Sequence, residues 1–310
     1  MSKEEIIEEL FKSIKLDRHV LTEDTAHIEI HANQVLGAHL VPGLLVEPKE
    51  RADGIEARIV VEKGARIEKP VHICFGMLPE RGVQHIQLDI RVEEAGQASI
   101  LAHCTFPNAV EIKHTMEARI TVGKDATYSY FERHVHGPAG GVLVLPNSKV
   151  SVAEGARFKT EFVLISGTAG TVELGVAAEC AARSVTELTA RISGRLKDRI
   201  RIVESAMLVG AEARAVLTTH IAVRDDAQAE VLNTLVAKAP YARGHVDCKE
   251  IVQGRATAKA VPVVEVLDPK AHVTHEAAIG SVDSKQLQTL MSRGLTEDEA
   301  VELIIEGLLS

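Results

Sequence analysis

Between about residue 25 and residue 280, apolar and polar positions alternate with period two in short runs rich in β-branched residues. Ile86-Gln-Leu-Asp-Ile-Arg-Val92 is one such run, and Ile55 to Val61, Ile200 to Val203 and Val261 to Val266 are others. This period predicts short strands with one face buried. The turns between them resemble one another. Val61-Glu-Lys-Gly-Ala-Arg-Ile67, Val122-Gly-Lys-Asp-Ala-Thr-Tyr128, Val152-Ala-Glu-Gly-Ala-Arg-Phe158 and Val223-Arg-Asp-Asp-Ala-Gln-Ala229 each run from an apolar residue through a polar turn and a small residue into a new strand. They recur about every thirty residues, or at a multiple or half of that, which is the signature of stacked coils. The expectation is a mainly β fold, a parallel β-helix, with an ordinary β-sandwich as the alternative that pattern alone leaves open.

Both ends of the chain change to helical period. Ile6, Ile7, Leu10, Phe11 and Ile14 form one apolar stripe, which predicts an amphipathic helix that packs as a cap. After Gly280, Asp283-Ser-Lys-Gln286 offers a capping box, Leu287, Leu290 and Met291 a stripe, and Gly294 a stop. Thr296-Glu-Asp-Glu299 then caps a last helix whose expected inner face is Ala300, Leu303, Ile304 and Leu308. The predicted organisation is residues 1–20 as the N-terminal helix, 21–280 as the β-helix and 281–310 as a helix pair.

Composition narrows the function. The chain has 310 residues, no Trp and a net charge of −9, with no basic run to track a phosphate backbone, so nucleic acid is excluded as a partner. No stretch approaches the roughly 18 uncharged apolar residues of a membrane span, and the charged start lacks a signal-peptide core, giving an expected cytoplasmic location. Neither a GxxxxGK[ST] loop nor a GxSxG or HExxH motif is present.

The C-terminal sixty residues carry a more specific signal. Pro262-Val-Val-Glu-Val266, His275-Glu-Ala-Ala-Ile-Gly280 and Gln286-Leu-Gln-Thr-Leu-Met-Ser-Arg-Gly-Leu-Thr-Glu-Asp-Glu-Ala300 follow one another in an order that closely resembles the signature of the SufB/SufD family. In length the chain is similar to the compact SmsB-type members of minimal SMS systems. The resemblance implies a right-handed parallel β-helix and a non-catalytic scaffold for iron–sulfur cluster assembly. It also implies a homodimer, a SufC-like ABC ATPase docked on the terminal helices, and downstream apoproteins that receive the cluster. Cys248 resembles the cysteine opening the SufB Cys-Asp-Ser segment. His275 and Glu276 match the family's His-Glu-Ala step, implicated in forming the cluster at the dimer interface. SufB has a further cysteine before the proline, where this chain reads Gln253-Gly-Arg-Ala-Thr-Ala-Lys-Ala260.

Iron and sulfide call for thiolate donors, with imidazole or carboxylate as substitutes. Cys248, Cys180 and Cys104 are therefore the candidate cluster ligands, with His275 and Glu276 beside them. Cys104, next to a histidine and a proline-marked turn, is expected to be more exposed than Cys74, which lies in an apolar run. Glu132, His134 and His136 share one strand face, which suits either a mononuclear iron site that Cys104 could join or a polar solvent face. Two rival functions follow: a metal-dependent β-fold enzyme using Glu132, His134 and His136, or a structural SufD-like subunit without a cluster.

Overall fold

The computed structural model describes residues 1–17 and 21–309; residues 18–20 and 310, at the ends of the two expected helical segments, lie outside it. After α1 (Lys3–Ser13) come β1 (His27–His31), β2 (Gln34–His39), β3 (Leu44–Glu50), β4 (Gly54–Val61), β5 (Val71–Gly76), β6 (Arg81–Val92) and β7 (Gln97–Phe106). The chain continues with β8 (Glu111–Val122), β9 (Thr127–His136), β10 (Val142–Val152), β11 (Arg157–Ser166), β12 (Thr171–Cys180) and β13 (Val185–Gly194). Next are β14 (Arg199–Leu208), β15 (Arg214–Val223), β16 (Gln228–Ala237), β17 (Arg243–Val252), β18 (Thr257–Val266) and β19 (His272–Gly280). Helices α2 (Ser284–Met291) and α3 (Glu297–Leu309) end it.

From β4 onward successive strands go to two sheets in turn, the even-numbered to one and the odd-numbered to the other, and each pairs in parallel with the strand two places on. The fold is a parallel β-solenoid with two strands per coil. Partners along the stack from β4 onward are 28 to 31 residues apart, as in Ile86 beside Met116 and Val216 beside His245. This spacing is the period of the turns in the sequence. Alternation does the rest: β8 buries every second residue, and the inward side chains of both sheets form one continuous core.

The repeated turns are stacked as well. Gly64, Ala95, Asp125, Gly155, Arg183 and Glu212 all have positive φ. Each donates its backbone N–H to a carbonyl one coil further on, from Gly64 to Glu94 O at 2.9 Å through Glu212 to Pro240 O at 3.1 Å. A left-handed residue costs roughly 1–2 kcal/mol when it is not glycine, and the hydrogen bond that it makes to the next coil offsets part of this.

The helices lie on the flank of the odd-numbered sheet. Ile7, Leu10 and Phe11 are buried, Leu10 lies against Gly76, and Ser13 hydrogen-bonds Thr105 at 2.7 Å. The expected N-terminal cap is thus supplied by other elements: antiparallel β2 and β3 close the two sheet edges, and α1 covers a side. At the other end α3 buries Ala300, Val301, Ile305 and Leu309, packing on Ala222 with Ile165 and Ile251. The sequence expectation chose the neighbouring stripe; Leu303 is exposed, because two adjacent stripes of this helix are apolar and the sheet takes the one without it. Glu302 fixes this rotation by pairing with Arg195 at 2.5 Å and Arg224 at 2.7 Å. The expected box at Thr296 and Glu299 forms in both directions, whereas α2 buries no residue. Among the described residues no helix is long and apolar enough to cross a membrane.

Candidate functional site

Stacking by thirty residues sets Cys104 of β7 directly beside His134 of β9, and Gln84 of β6 beside His114 of β8. Glu132, His134 and His136 do share a face, and that face is the interior: each is at most 6% exposed. The solvent-face reading is therefore overturned. Cys104 is also fully buried, against the expectation from its neighbouring proline, because residue 104 falls on the inward phase of β7.

One donor atom from each of Cys104, His114, Glu132 and His134 lies within 4.8 Å of the others. Among the described residues this is the one group of three or more such donors close enough to share a cation. It bridges the two sheets. His114 was not singled out in the sequence, for it stands alone on β8; a period of thirty, which aligns 104 with 134 and 84 with 114, is the signal that could have found it.

Hydrogen bonds around the group fix its imidazoles. Burial drives His114, His134 and His136 down to about 3, so all three rings are neutral at ordinary pH. The carbonyl of Thr168 accepts from His136 Nδ1 at 3.0 Å. His136 Nε2 therefore accepts, and His134 Nδ1 donates to it at 3.2 Å. The lone pair of His134 Nε2 is left facing Glu132 Oε1 at 2.7 Å. Burial raises Glu132 to about 7, and the protonated carboxyl is the form that donates to this nitrogen. On the other sheet Gln84 Nε2 donates to the carbonyl of Ala32 at 2.9 Å, which turns its oxygen towards His114 Nδ1 at 3.0 Å. His114 Nε2 consequently keeps a free lone pair, buried and without a partner among the described residues. Burial also pushes the Cys104 thiol well above its ordinary value.

Asp198, unmarked in the sequence, supports the arrangement. Its carboxylate accepts from the backbone N–H groups of Ala169, Gly170 and Arg195 at 2.8–2.9 Å. It thereby holds the loop that delivers Thr168 O to His136.

The other candidates lie elsewhere. Cys180, at the end of β12, has the Thr186 hydroxyl 3.2 Å away. Cys248 is fully buried on β17, where Asn233 Nδ2 approaches its sulfur at 3.5 Å and Thr219 Oγ1 at 2.8 Å. Thr219 in turn donates to Glu204 at 3.3 Å. Burial raises Cys248 to about 12, Glu204 to about 8 and Glu250 to about 7. A cavity of about 20 Å³ is lined by residues including Tyr130, Thr160, Thr189 and the buried carboxyl groups of Glu132 and Glu204.

His275 and Glu276 are on β19, the last coil. In register His275 is beside Val246 and Ala277 beside Cys248, both of which point inward. His275 thus takes the inward phase of the last coil, which no further described strand covers, and both it and Glu276 are exposed. Within one chain Cys248, His275 and Glu276 do not converge.

Comparison with known proteins places the sequence in a family. The family described as SUF system FeS cluster assembly, SufBD core domain, matches residues 77–308. An iron–sulfur cluster assembly SufBD family protein of Methanocaldococcus jannaschii is 36% identical over 305 residues, covering 98% of this chain and 96% of that protein. One from Pyrococcus horikoshii is 34% identical over 305 residues, covering 98% and 93%. A Staphylococcus saprophyticus member is 24% identical over 258 residues, covering 81% of this chain and 54% of that longer protein. The chain belongs to the SufBD family of iron–sulfur cluster assembly proteins.

Proposed function

We propose that the chain is a scaffold subunit that works as a homodimer with a SufC-like ABC ATPase and builds an iron–sulfur cluster, its cargo, where two terminal coils meet. The observation that carries this reading is the open end of the solenoid. Val263, Val266, Leu267 and Ile279 are exposed on β18, β19 and the turn between them, and His275 and Glu276 stand among them. Exposed apolar groups beside unpaired strand edges favour a partner surface. A second copy seated there would cover both ends, double the His275 and Glu276 donors, and leave Cys248 one coil beneath them. Soft sulfur and borderline nitrogen donors suit iron and sulfide.

Helix α2, which has no fully buried residue and touches the flank cluster through Leu287, is the surface offered to the ATPase; α3 is already committed to the flank. The chain has no phosphate-cradling loop, so ATP would act through that partner, and the finished cluster would pass to apoproteins in the cytoplasm. The test is anaerobic co-purification with the cognate ATPase, with iron and acid-labile sulfide measured for the wild type and for Cys248→Ser, His275→Ala and Glu276→Ala. Loss of sulfide in these variants, with the complex intact, supports the reading. A wild-type complex that holds no sulfide after reconstitution overturns it.

A further inference from the structure

We propose that Cys104, His114, Glu132 and His134 form a closed, resident site for one divalent first-row cation, distinct from the assembly surface on the terminal coil. Three independent observations meet there. The first is spacing: a tetrahedral centre with bonds of about 2.0–2.3 Å needs donors roughly 3.4–3.8 Å apart, and these four already lie within 4.8 Å of one another. The second is the fully buried His114 Nε2, which has no hydrogen-bond partner among the described residues and whose ring is held by Gln84. A buried ring nitrogen left unpaired loses free energy unless something binds it. The third is that His134 presents the same atom, Nε2, through the relay from Thr168 and His136.

Charge favours the same occupant. A thiolate and a carboxylate bring two negative charges, and two neutral imidazoles bring none, so a divalent cation makes the filled group neutral. An uncompensated charge in this interior would be strongly unfavourable. One sulfur, two nitrogens and one oxygen suit Fe²⁺ or Zn²⁺ better than Mg²⁺ or Ca²⁺. Four protein donors complete a tetrahedron and leave no open position, so the site stores or braces rather than catalyses. It ties β7 and β9 of one sheet to β8 of the other. His136 and Gln84 are positioning residues in this account, each fixing the ring of a ligand as the outer shell of a metal site does.

The test uses the full chain alone, without the ATPase, so its outcome is independent of cluster assembly. The protein is produced in zinc-depleted minimal medium with Co²⁺, and its visible spectrum and metal content are measured. The expected result is one cobalt per chain, the intense d–d bands of a tetrahedral centre and a thiolate-to-cobalt charge-transfer band. That band disappears in Cys104→Ser and persists in Cys180→Ser. Gln84→Met, which frees the His114 ring, loosens cobalt about 10–100-fold while keeping the band. A folded wild-type protein without tetrahedral cobalt overturns the inference, as does a charge-transfer band that survives Cys104→Ser. A wild-type spectrum without these bands overturns the inference even where a core variant fails to fold, and a band that is lost in Cys248→Ser, which lies outside this group, overturns it as well. Competition between Fe²⁺ and Zn²⁺ under anaerobic conditions then identifies the preferred ion.

Discussion

Glu204 is a carboxyl group in the core, partnered among the described residues by one hydroxyl, that of Thr219. Burial raises it from 4.5 to about 8, so the folded chain holds a proton there that the unfolded chain has released. The native state binds more protons between these two values, and stability falls as pH rises through that window. Each tenfold change in proton affinity between the two states is worth about 1.4 kcal/mol. We therefore expect Glu204→Gln to gain stability relative to wild type by a few kcal/mol at pH 8.5 and by far less at pH 4.5, as read by denaturant unfolding at both pH values. A difference that does not grow with pH would contradict a neutral buried carboxyl. The histidines have the opposite sign. His114, His134 and His136 are lowered to about 3, so their contribution is lost as pH falls below 6.5. The candidate donors Glu132, His134 and Cys104 were legible in the sequence as chemistry. Their burial was not, because a strand of alternating donors reads the same facing water or facing the core.

Among the elements, α3 is the clearest case of a helix whose place is set by packing. Its capping box was legible in Thr296 and Glu299, but its inner face was not, since periodicity alone cannot choose between adjacent apolar stripes. Val301, Ile305 and Leu309 bury against Ala222, and a buried Ile→Ala change costs about 2–5 kcal/mol. Ile305→Asp should therefore detach α3 while the solenoid stays folded. Hydrogen exchange would then show fast amides confined to residues 296–309, with strand protection unchanged; exchange spreading into β13 and β15 would contradict a helix that merely lies on the flank. Thr296→Ala removes a cap worth about 1 kcal/mol, and should give a milder version of the same pattern.

At the scale of the whole molecule, the solenoid was legible because its turns repeat with the period that stacks the strands. Val61 through Ile67, Val122 through Tyr128 and Val152 through Phe158 mark corners of one stack, and small residues there let backbones approach. What the sequence concealed is the asymmetry of the ends. Antiparallel β2 and β3 close the first coil, while β18 and β19 leave the last one bare with Leu267 and Ile279 exposed. Leu267→Lys combined with Ile279→Lys should convert a dimer to monomers in sedimentation, with unchanged far-ultraviolet circular dichroism. A dimer that persists would move the contact elsewhere.

The most direct test of the scaffold account is native mass spectrometry of the anaerobically purified complex of this chain with its ATPase. The account predicts an assembly containing two copies of the chain and carrying the extra mass of iron and sulfide, which is lost on His275→Ala. A complex with a single copy, or a two-copy complex whose mass is that of the polypeptides alone after reconstitution, would contradict it.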